Sequence, residues 1–119
     1  MGRKILVVDD EWAIRELLIE YFSGRGYTVS EAGNFVEAFA AVDRDHPDLV
    51  LLDVGLPGMD GVEILRRMRE HHPEVPVIMV TANDDPTLAQ RTRDIGAVDC
   101  LFKPVNFDRL GRLVATRIT

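Results

Sequence analysis

The stretch Ile5-Leu6-Val7-Val8-Asp9-Asp10 decides the fold of this 119-residue chain, because it is a short apolar run that ends in two adjacent acids. A second run of the same kind, Asp48-Leu49-Val50-Leu51-Leu52-Asp53, ends in another aspartate. If both runs are neighbouring strands of one parallel sheet, their carboxylates meet at the edge where the strands end. Repulsion between those carboxylates is unfavourable unless a cation offsets it. The two runs therefore predict a divalent-metal site that handles phosphate.

Short apolar runs alternate with amphipathic helical patterns along the whole chain. The predicted strands are about Lys4 to Val8, Thr28 to Ala32, Asp48 to Asp53, Val77 to Thr81 and Cys100 to Phe102. Each is followed by a predicted helix, which gives five strands and five helices in strict alternation. Such alternation implies right-handed crossovers and a doubly wound α/β fold, in which helices cover both faces of a parallel sheet.

The predicted helices carry their own sequence signals. The apolar residues of the first helix follow the spacing of a single buried face: Ile14, Leu17, Leu18, Tyr21 and Phe22. Polar residues and a proline mark the starts of three later helices: Asn34, Asp84-Asp85-Pro86 and Asn106.

Length, charge and cysteine content restrict the class of protein. With no repeat or linker, residues 1–119 are predicted to form one domain that buries roughly two-thirds of its unfolded surface. The net charge of -6 argues against binding of nucleic acid or of an anionic membrane by this domain. The single cysteine, Cys100, excludes an internal disulfide. No apolar stretch approaches the roughly 18 residues of a membrane span, and no signal-peptide pattern is present, so we expect a cytoplasmic location.

Polar residues end four of the five predicted strands, and besides the three aspartates they include Thr81 and Lys103. Each has an ordinary explanation when taken alone. Asp9-Asp10-Glu11 would suit the first turn of a helix, where negative charge interacts favourably with the helix dipole. Thr81 could be a β-branched strand residue, and Lys103 a solvated charge. Their common position at the carboxyl ends of the strands is where open α/β sheets bind ligands.

Four pieces of the sequence together resemble the receiver domain of bacterial two-component response regulators. They are, in order, Asp9-Asp10, Asp53 followed by Leu56-Pro57-Gly58-Met59-Asp60-Gly61, Thr81-Ala82, and Lys103-Pro104. The resemblance spans almost the whole chain and implies a flavodoxin-like, CheY-like fold with strand order 2-1-3-4-5. It also implies a signalling switch rather than an enzyme, which takes a phosphoryl group from a phosphohistidine of a sensor histidine kinase or a phosphotransfer protein.

The resemblance assigns Asp53 as the phosphoacceptor, and a strand-end carboxylate can indeed attack phosphorus to form an acyl phosphate. It assigns the cofactor as Mg²⁺ or Mn²⁺, held by the carboxylates of Asp9, Asp10 and Asp53 and by the backbone carbonyl of Gly55. Asp10 would bind the metal directly, and Asp9 mainly through a metal-bound water. This oxygen set is of the kind that magnesium prefers.

Three further residues receive roles from the resemblance. The ammonium group of Lys103 would neutralise charge on the phosphoryl oxygens together with the metal. The Thr81 hydroxyl and the Ala82 amide would bond a phosphoryl oxygen, and the small side chain of Ala82 would leave access to Asp53. Lys103-Pro104 resembles the family's cis peptide bond, which would aim the lysine inward.

The chain departs from the family at Cys100, where an aromatic residue usually stands three positions before the lysine. That ring swings inward when the strand 4 threonine moves toward the phosphoryl group, so Thr81 and Cys100 occupy the switch positions. Phe102 lies on the same side of the strand but closer to the site, and is not equivalent. We expect the surface of helix 4, strand 5 and helix 5 to serve as the output face and to be available for a homodimer. Because position 100 holds a cysteine, we expect the aromatic contribution to this switch to be weaker than is usual in the family.

Other functions remain to be weighed on the same residues. A flavodoxin-like electron carrier would need to bind a flavin phosphate after strand 1, where Asp9-Asp10-Glu11 would repel it. A phosphohydrolase would need a second acid-base residue after Asp53, where Val54-Gly55-Leu56 stands. A phosphorylation-independent pseudo-receiver, a pure binding module, is the main alternative. The presence of Asp9, Asp10, Asp53, Thr81 and Lys103 argues against it, whereas Cys100 leaves it open. The end of the sequence just after helix 5 is compatible with a stand-alone protein or with the loss of an effector domain.

Overall fold

The computed structural model describes residues 2–118. The two ends of the predicted domain, Met1 and Thr119, therefore lie outside the described residues. The strands are β1 (Lys4–Val8), β2 (Thr28–Ala32), β3 (Leu49–Asp53), β4 (Val77–Thr81) and β5 (Asp99–Phe102). The helices are α1 (Trp12–Ser23), α2 (Phe35–Asp45), α3 (Gly61–His71), α4 (Pro86–Ile95) and α5 (Phe107–Arg117). The predicted alternation is confirmed.

The five strands form one parallel sheet in the order β2-β1-β3-β4-β5, as the resemblance implied. The order reverses between β1 and β3, which are neighbours in space but not in sequence. Their register pairs Val8 with Leu52, so that Asp9 and Asp53 follow side by side. This reversal point is where a doubly wound sheet opens a crevice for a ligand.

Two strand boundaries differ from the prediction by one residue. Asp48 was predicted to begin the third strand, but β3 begins at Leu49. Asp48 instead closes the ladder with Lys4, because its carboxylate accepts a hydrogen bond from Lys4 N at 2.8 Å and its own amide donates to Lys4 O at 2.8 Å. At the other edge, β5 begins at Asp99 rather than Cys100, since Asp99 still pairs with Ile78.

Alternate residues of the strands point into two separate cores. Leu6, Val8 and Leu52 face the core beneath α2, α3 and α4, whereas Ile5 and Leu51 face the core beneath α1 and α5. Because both faces are covered, the central strands are apolar almost throughout. Within residues 2–118, no helix has both the length and the apolar character that crossing a membrane requires.

Leu17 does not lie on the buried face of α1, as the spacing had predicted. It is 50% exposed, whereas Leu18 and Phe22 are buried against β1 and β3. The buried stripe centres on Leu18 and Phe22, and Leu17 is turned about 100° from Leu18, as consecutive helical residues are. The apolar pattern of α1 is therefore wider than the surface that the sheet and α5 cover.

Candidate functional site

Three carboxylates meet where β1 and β3 end. One oxygen from each of Asp9, Asp10 and Asp53 lies within 4.8 Å of the others, which confirms the proximity predicted from the two apolar runs. Asp9 is 2% exposed and Asp53 is 5% exposed, whereas Asp10 is open to solvent. Two of the three acids are thus largely removed from the water that would otherwise screen their charges.

Backbone amides hold one oxygen of each buried carboxylate. Asp9 Oδ1 accepts a hydrogen bond from Glu11 N at 2.9 Å, and Asp53 Oδ1 accepts one from Gly55 N at 3.1 Å. The main chain continues the sheet at both positions, with Asp9 N donating to Ala32 O at 3.1 Å and Val54 N donating to Val80 O at 3.0 Å. Each carboxylate is oriented by its own turn, and its second oxygen is directed toward Lys103.

Lys103 places its ammonium group among these carboxylates. Its Nζ lies 3.1 Å from Asp9 Oδ2, 3.4 Å from Asp53 Oδ2 and 3.5 Å from Glu11 Oε1. The side chain is only 17% exposed. Its amide donates to Thr81 O at 2.8 Å, and the peptide bond to Pro104 is cis. The inward orientation that the resemblance implied for Lys103 is therefore present.

The electrostatics of the site follow from burial and close charges. Burial raises the pKa of Asp53, and the charge of Asp9 adds to this, while the Gly55 amide and Lys103 oppose it. Burial also acts to lower the pKa of Lys103, but its hydrogen bond to Asp9 and the charges of Asp53 and Asp9 outweigh this and raise it. The acidic pocket therefore favours additional positive charge, and Lys103 stays protonated.

Thr81 and Ala82 extend β4 toward the same rim. Thr81 is buried and follows Val80, which pairs with Asp53. The Thr81 hydroxyl oxygen accepts a hydrogen bond from Asn83 N at 2.9 Å, so its own proton stays available for donation. Ala82 is exposed, as a residue that leaves a path to the acid should be.

Glycines fix the loop between β3 and α3. A Cβ atom at Gly61 would lie 2.6 Å from the backbone Cα and O of Val54, a distance that no side chain tolerates. A Cβ atom at Gly55 would lie at ordinary contact distance, 3.7 Å, from Asp53 Oδ1. The start of α3 is secured by the Asp60 carboxylate, which accepts from Val62 N at 2.9 Å. The start of α3 therefore packs directly against the main chain that follows β3.

Cys100, one of the two predicted switch positions, lies in an apolar environment rather than among the charges of the acidic site. Cys100 is buried opposite Met79, in the core beneath α2, α3 and α4, and burial raises the pKa of its thiol against a weaker opposing contact from Thr92. Phe102 pairs with Thr81 at the rim and is 41% exposed. The aromatic side chain at the rim is therefore that of Phe102, two residues after Cys100.

Arg15 is a site contact that the sequence analysis did not single out. Its Nη1 donates to the backbone carbonyl of Asp9 at 2.7 Å, and its Nε donates to Glu31 Oε1 at 2.8 Å. The available signal was a lone basic residue one and a half helical turns after the paired acids, within an acidic segment. Surface arginines are common on such helices, so the pattern alone does not distinguish this contact.

A family model described as "Response regulator receiver domain" matches residues 5–115. Sporulation initiation phosphotransferase F of Bacillus subtilis (strain 168) is 42% identical over 110 residues, covering 92% of this chain and 89% of that protein. Response regulator MprA of Mycobacterium ulcerans (strain Agy99) is 40% identical over 110 residues, covering 92% of this chain. The chain spans only 47% of that second relative.

Solved structures show the same fold. The crystal structure of a response regulator receiver domain protein (CheY-like) from Methanospirillum hungatei JF-1 superposes with a TM-score of 0.92 at 29% identity. The match covers 98% of this chain and 93% of that one. The similarity therefore includes all the strand ends that carry the site.

Proposed function

Because the chain belongs to the response regulator receiver domain family, whose members are phosphoacceptor switches in two-component signalling, we propose that Asp53 is the residue that accepts the phosphoryl group. The observation that carries this proposal is the position of Asp53 at the end of β3, with Lys103 3.4 Å away and two further carboxylates beside it. Asp53 is the member of the cluster that ends β3, beside the strand that carries Thr81 and directly before the β3–α3 loop.

The donor set fits Mg²⁺ or Mn²⁺, because it offers carboxylate oxygens within 4.8 Å of one another in a pocket that favours positive charge. The carboxylates of Asp9, Asp10 and Asp53 and the carbonyl of Gly55 would hold the ion. When bound, it would reduce repulsion between Asp53 and the incoming phosphate and stabilise charge on the phosphoryl oxygens. Asp10 is suited to direct contact because it is exposed, whereas the buried Asp9 carboxylate is already engaged by Glu11 N and Lys103.

The remaining residues act on the phosphoryl group itself. A carboxylate oxygen of Asp53 forms the bond to phosphorus while the bond from phosphorus to the donor's histidine nitrogen breaks, which leaves an acyl phosphate. Lys103 then binds a phosphoryl oxygen in place of the carboxylates that it contacts now. The Thr81 hydroxyl and the Ala82 amide donate to another phosphoryl oxygen. Slow hydrolysis of the same bond resets the switch.

Receiver domains exchange phosphoryl groups with histidine kinases or phosphotransfer proteins, and we propose the same class of partner here. The proposed output face comprises α4, β5 and α5, where a homodimer could also form. It carries ion pairs such as Arg93 with Asp99 at 3.4 Å. The net charge of -6 fits a domain that does not itself bind nucleic acid.

The test is phosphorylation by acetyl phosphate in the presence of Mg²⁺, followed by intact-protein mass spectrometry. We expect a gain of one phosphoryl group in the wild type, and none in Asp53→Ala or after chelation of the metal. Asp45→Ala is the matched control, because Asp45 lies outside the acidic cluster and its carboxylate contacts the neighbouring Arg44. A gain that persists in Asp53→Ala would contradict the assignment. No gain in the wild type would favour the pseudo-receiver alternative.

A further inference from the structure

Arg15 joins the metal-side loop to the outer strand β2. Its guanidinium donates through Nη1 to the carbonyl of Asp9 at 2.7 Å and through Nε to the carboxylate of Glu31 at 2.8 Å. The Arg15 side chain is largely buried, although Glu31 is half exposed. Two directed bonds from one planar group fix its position more tightly than a single surface ion pair does.

The chain leaves space for this guanidinium just after β2. A Cβ atom at Gly33 would lie 3.0 Å from Arg15 Nη1, closer than a side chain and a guanidinium usually approach. The Gly33 amide is itself held by Glu37 Oε1 at 2.8 Å, near the start of α2. The guanidinium group of Arg15 therefore lies between the body of α1 and the β2–α2 turn.

The bond to Asp9 O acts on the position of Asp10. The carbonyl of Asp9 belongs to the peptide group that links Asp9 to Asp10, and this group is planar. Fixing the direction of the carbonyl therefore fixes where the Asp10 backbone begins. Asp9 is held independently, through its amide to Ala32 O and its carboxylate to Glu11 N. Asp10 is the exposed member of the cluster, and the Asp9 carbonyl ties it to this framework on its N-terminal side, as Glu11 N does on its C-terminal side.

We propose that Arg15 is a positioning residue that holds the Asp9–Asp10 peptide so that both carboxylates face a divalent cation. This inference rests on the proposed function, since it takes Asp9 and Asp10 as the residues that hold the metal. Outer contacts of this kind orient metal ligands, and their loss commonly weakens metal binding by about 10- to 100-fold.

The direction of the change in Mg²⁺ affinity distinguishes a positioning role of Arg15 from a purely electrostatic one. Removing a positive charge near an acidic pocket should strengthen the binding of Mg²⁺ if only the local field matters. Removing a group that orients the carboxylates should weaken it. Arg15→Ala therefore distinguishes the two roles by direction as well as by size.

The experiment is a titration with Mg²⁺ alone, followed by calorimetry and by the fluorescence of the exposed Trp12. We expect Kd to rise about tenfold in Arg15→Ala, at the low end for an outer contact. Arg15→Lys should lie between this variant and the wild type, because it keeps the charge but cannot make both bonds at once. Arg44→Ala is the control for charge, since Arg44 is exposed and bonds Asp45. A Kd for Arg15→Ala equal to or below that of the wild type would overturn the proposal.

A kinetic measurement separates this proposal from the assignment of Asp53. With acetyl phosphate, the Mg²⁺ concentration for half-maximal phosphorylation should rise about tenfold in Arg15→Ala, while the rate at saturating Mg²⁺ stays within about twofold. A lower maximal rate with unchanged half-saturation would reject positioning through the metal. If the wild type is not phosphorylated at all, the proposed function fails, but the direct titration still decides the role of Arg15.

If Arg15→Ala does not fold, Arg15→Lys decides, because it keeps the positive charge and cannot make both bonds at once. Glu31→Gln adds a milder variant, although the loss of its negative charge would by itself also raise Kd. It weakens only the outer of the two bonds and leaves the bond to Asp9 O in place. We expect Kd for Mg²⁺ to rise about two- to threefold, in the same direction as for Arg15→Ala. A lower Kd in Glu31→Gln would also count against the proposal.

Discussion

The acidic ends of β1 and β3 are held by polar contacts, whereas the middle of β4 and the start of β5 are held mainly by apolar packing. Asp9 and Asp53 each accept a backbone hydrogen bond and share the Lys103 ammonium group. Cys100, by contrast, is packed opposite Met79 in the core. The region proposed for phosphoryl transfer is thus organised by hydrogen bonds and ion pairs, whereas the region proposed for the response is organised by the packing of apolar side chains.

A backbone hydrogen bond of Lys103 links the acidic site to β4. Lys103 N donates to Thr81 O at 2.8 Å, so the residue whose ammonium group contacts the acids is anchored to the strand that carries Thr81, the proposed switch residue. Movement of Lys103 toward a phosphoryl group would therefore act on β4 and β5 together. We can test whether the two regions are energetically distinct with substitutions that alter charge in the first and side-chain volume in the second.

The largest effect is expected for Lys103→Met, which removes the cation shared by Asp9 and Asp53. Removing one partner from a buried ion pair leaves the other charges uncompensated, so we expect the free energy of unfolding at pH 7 to fall by about 3 kcal/mol. Urea denaturation without Mg²⁺ measures this loss. Arg93→Met is the control in the second region, where an exposed ion pair should contribute less than about 1 kcal/mol. Equal losses in the two variants would contradict the contrast between the regions.

An intermediate effect is expected for Cys100→Tyr, which restores an aromatic ring at the position where the family usually has one. The thiol is only 3% exposed, and a larger side chain would overfill the core. We expect the free energy of unfolding to fall by about 2 kcal/mol, while Kd for Mg²⁺ stays unchanged. Urea denaturation and a Mg²⁺ titration on the same sample measure both. A clear change in Kd would show that packing at β5 reaches the acidic site.

The smallest effect, and one of opposite sign, is expected for Asp53→Asn. Burial and the charge of Asp9 raise the pKa of Asp53, so the ionised carboxylate destabilises the folded state. We expect the variant to be about 1 kcal/mol more stable than the wild type at pH 7 without Mg²⁺, at the low end for replacing a buried charge. Urea denaturation gives the difference, and a less stable variant would contradict this view of Asp53.

The pH dependence of that difference has a defined sign. Because the pKa of Asp53 is higher in the folded state than its ordinary value of 3.8, the folded state binds more protons between the two values. Stability of the wild type relative to Asp53→Asn therefore falls as the pH rises through this window. Below a pH equal to the ordinary pKa, Asp53 is protonated in both the folded and the unfolded wild-type chain. The gain in stability from Asp53→Asn should therefore disappear there.

The sequence was sufficient to predict most of the fold, because periodicity and capping are local properties. The strand ends at Val8 and Asp53 follow from where apolar runs stop, and Asn34 and Asn106 cap helices as their positions indicated, by accepting from Glu37 N and Arg109 N. The meeting of the acids follows once β1 and β3 are neighbours in a parallel sheet.

Other features depend on side-chain directions that periodicity does not encode. Leu17 fits the apolar spacing of α1, but the surface available for its burial is set by the sheet and α5 rather than by α1. The contact of Arg15 with Asp9 O needs one rotamer of a long side chain and a neighbouring glycine at position 33. The contact of Glu11 with Lys103, at 3.5 Å, likewise joins residues that are distant in sequence.

The two glycines that frame the β3–α3 loop have opposite consequences for protein engineering. Position 61 offers no freedom, because any Cβ atom would collide with the main chain of Val54. Position 55 can accept a side chain, whose first carbon would stand 3.7 Å from Asp53 Oδ1. A library of variants at position 55 could therefore place new functional groups beside the acid and tune how long a signal persists, while the frame that holds the acid stays intact.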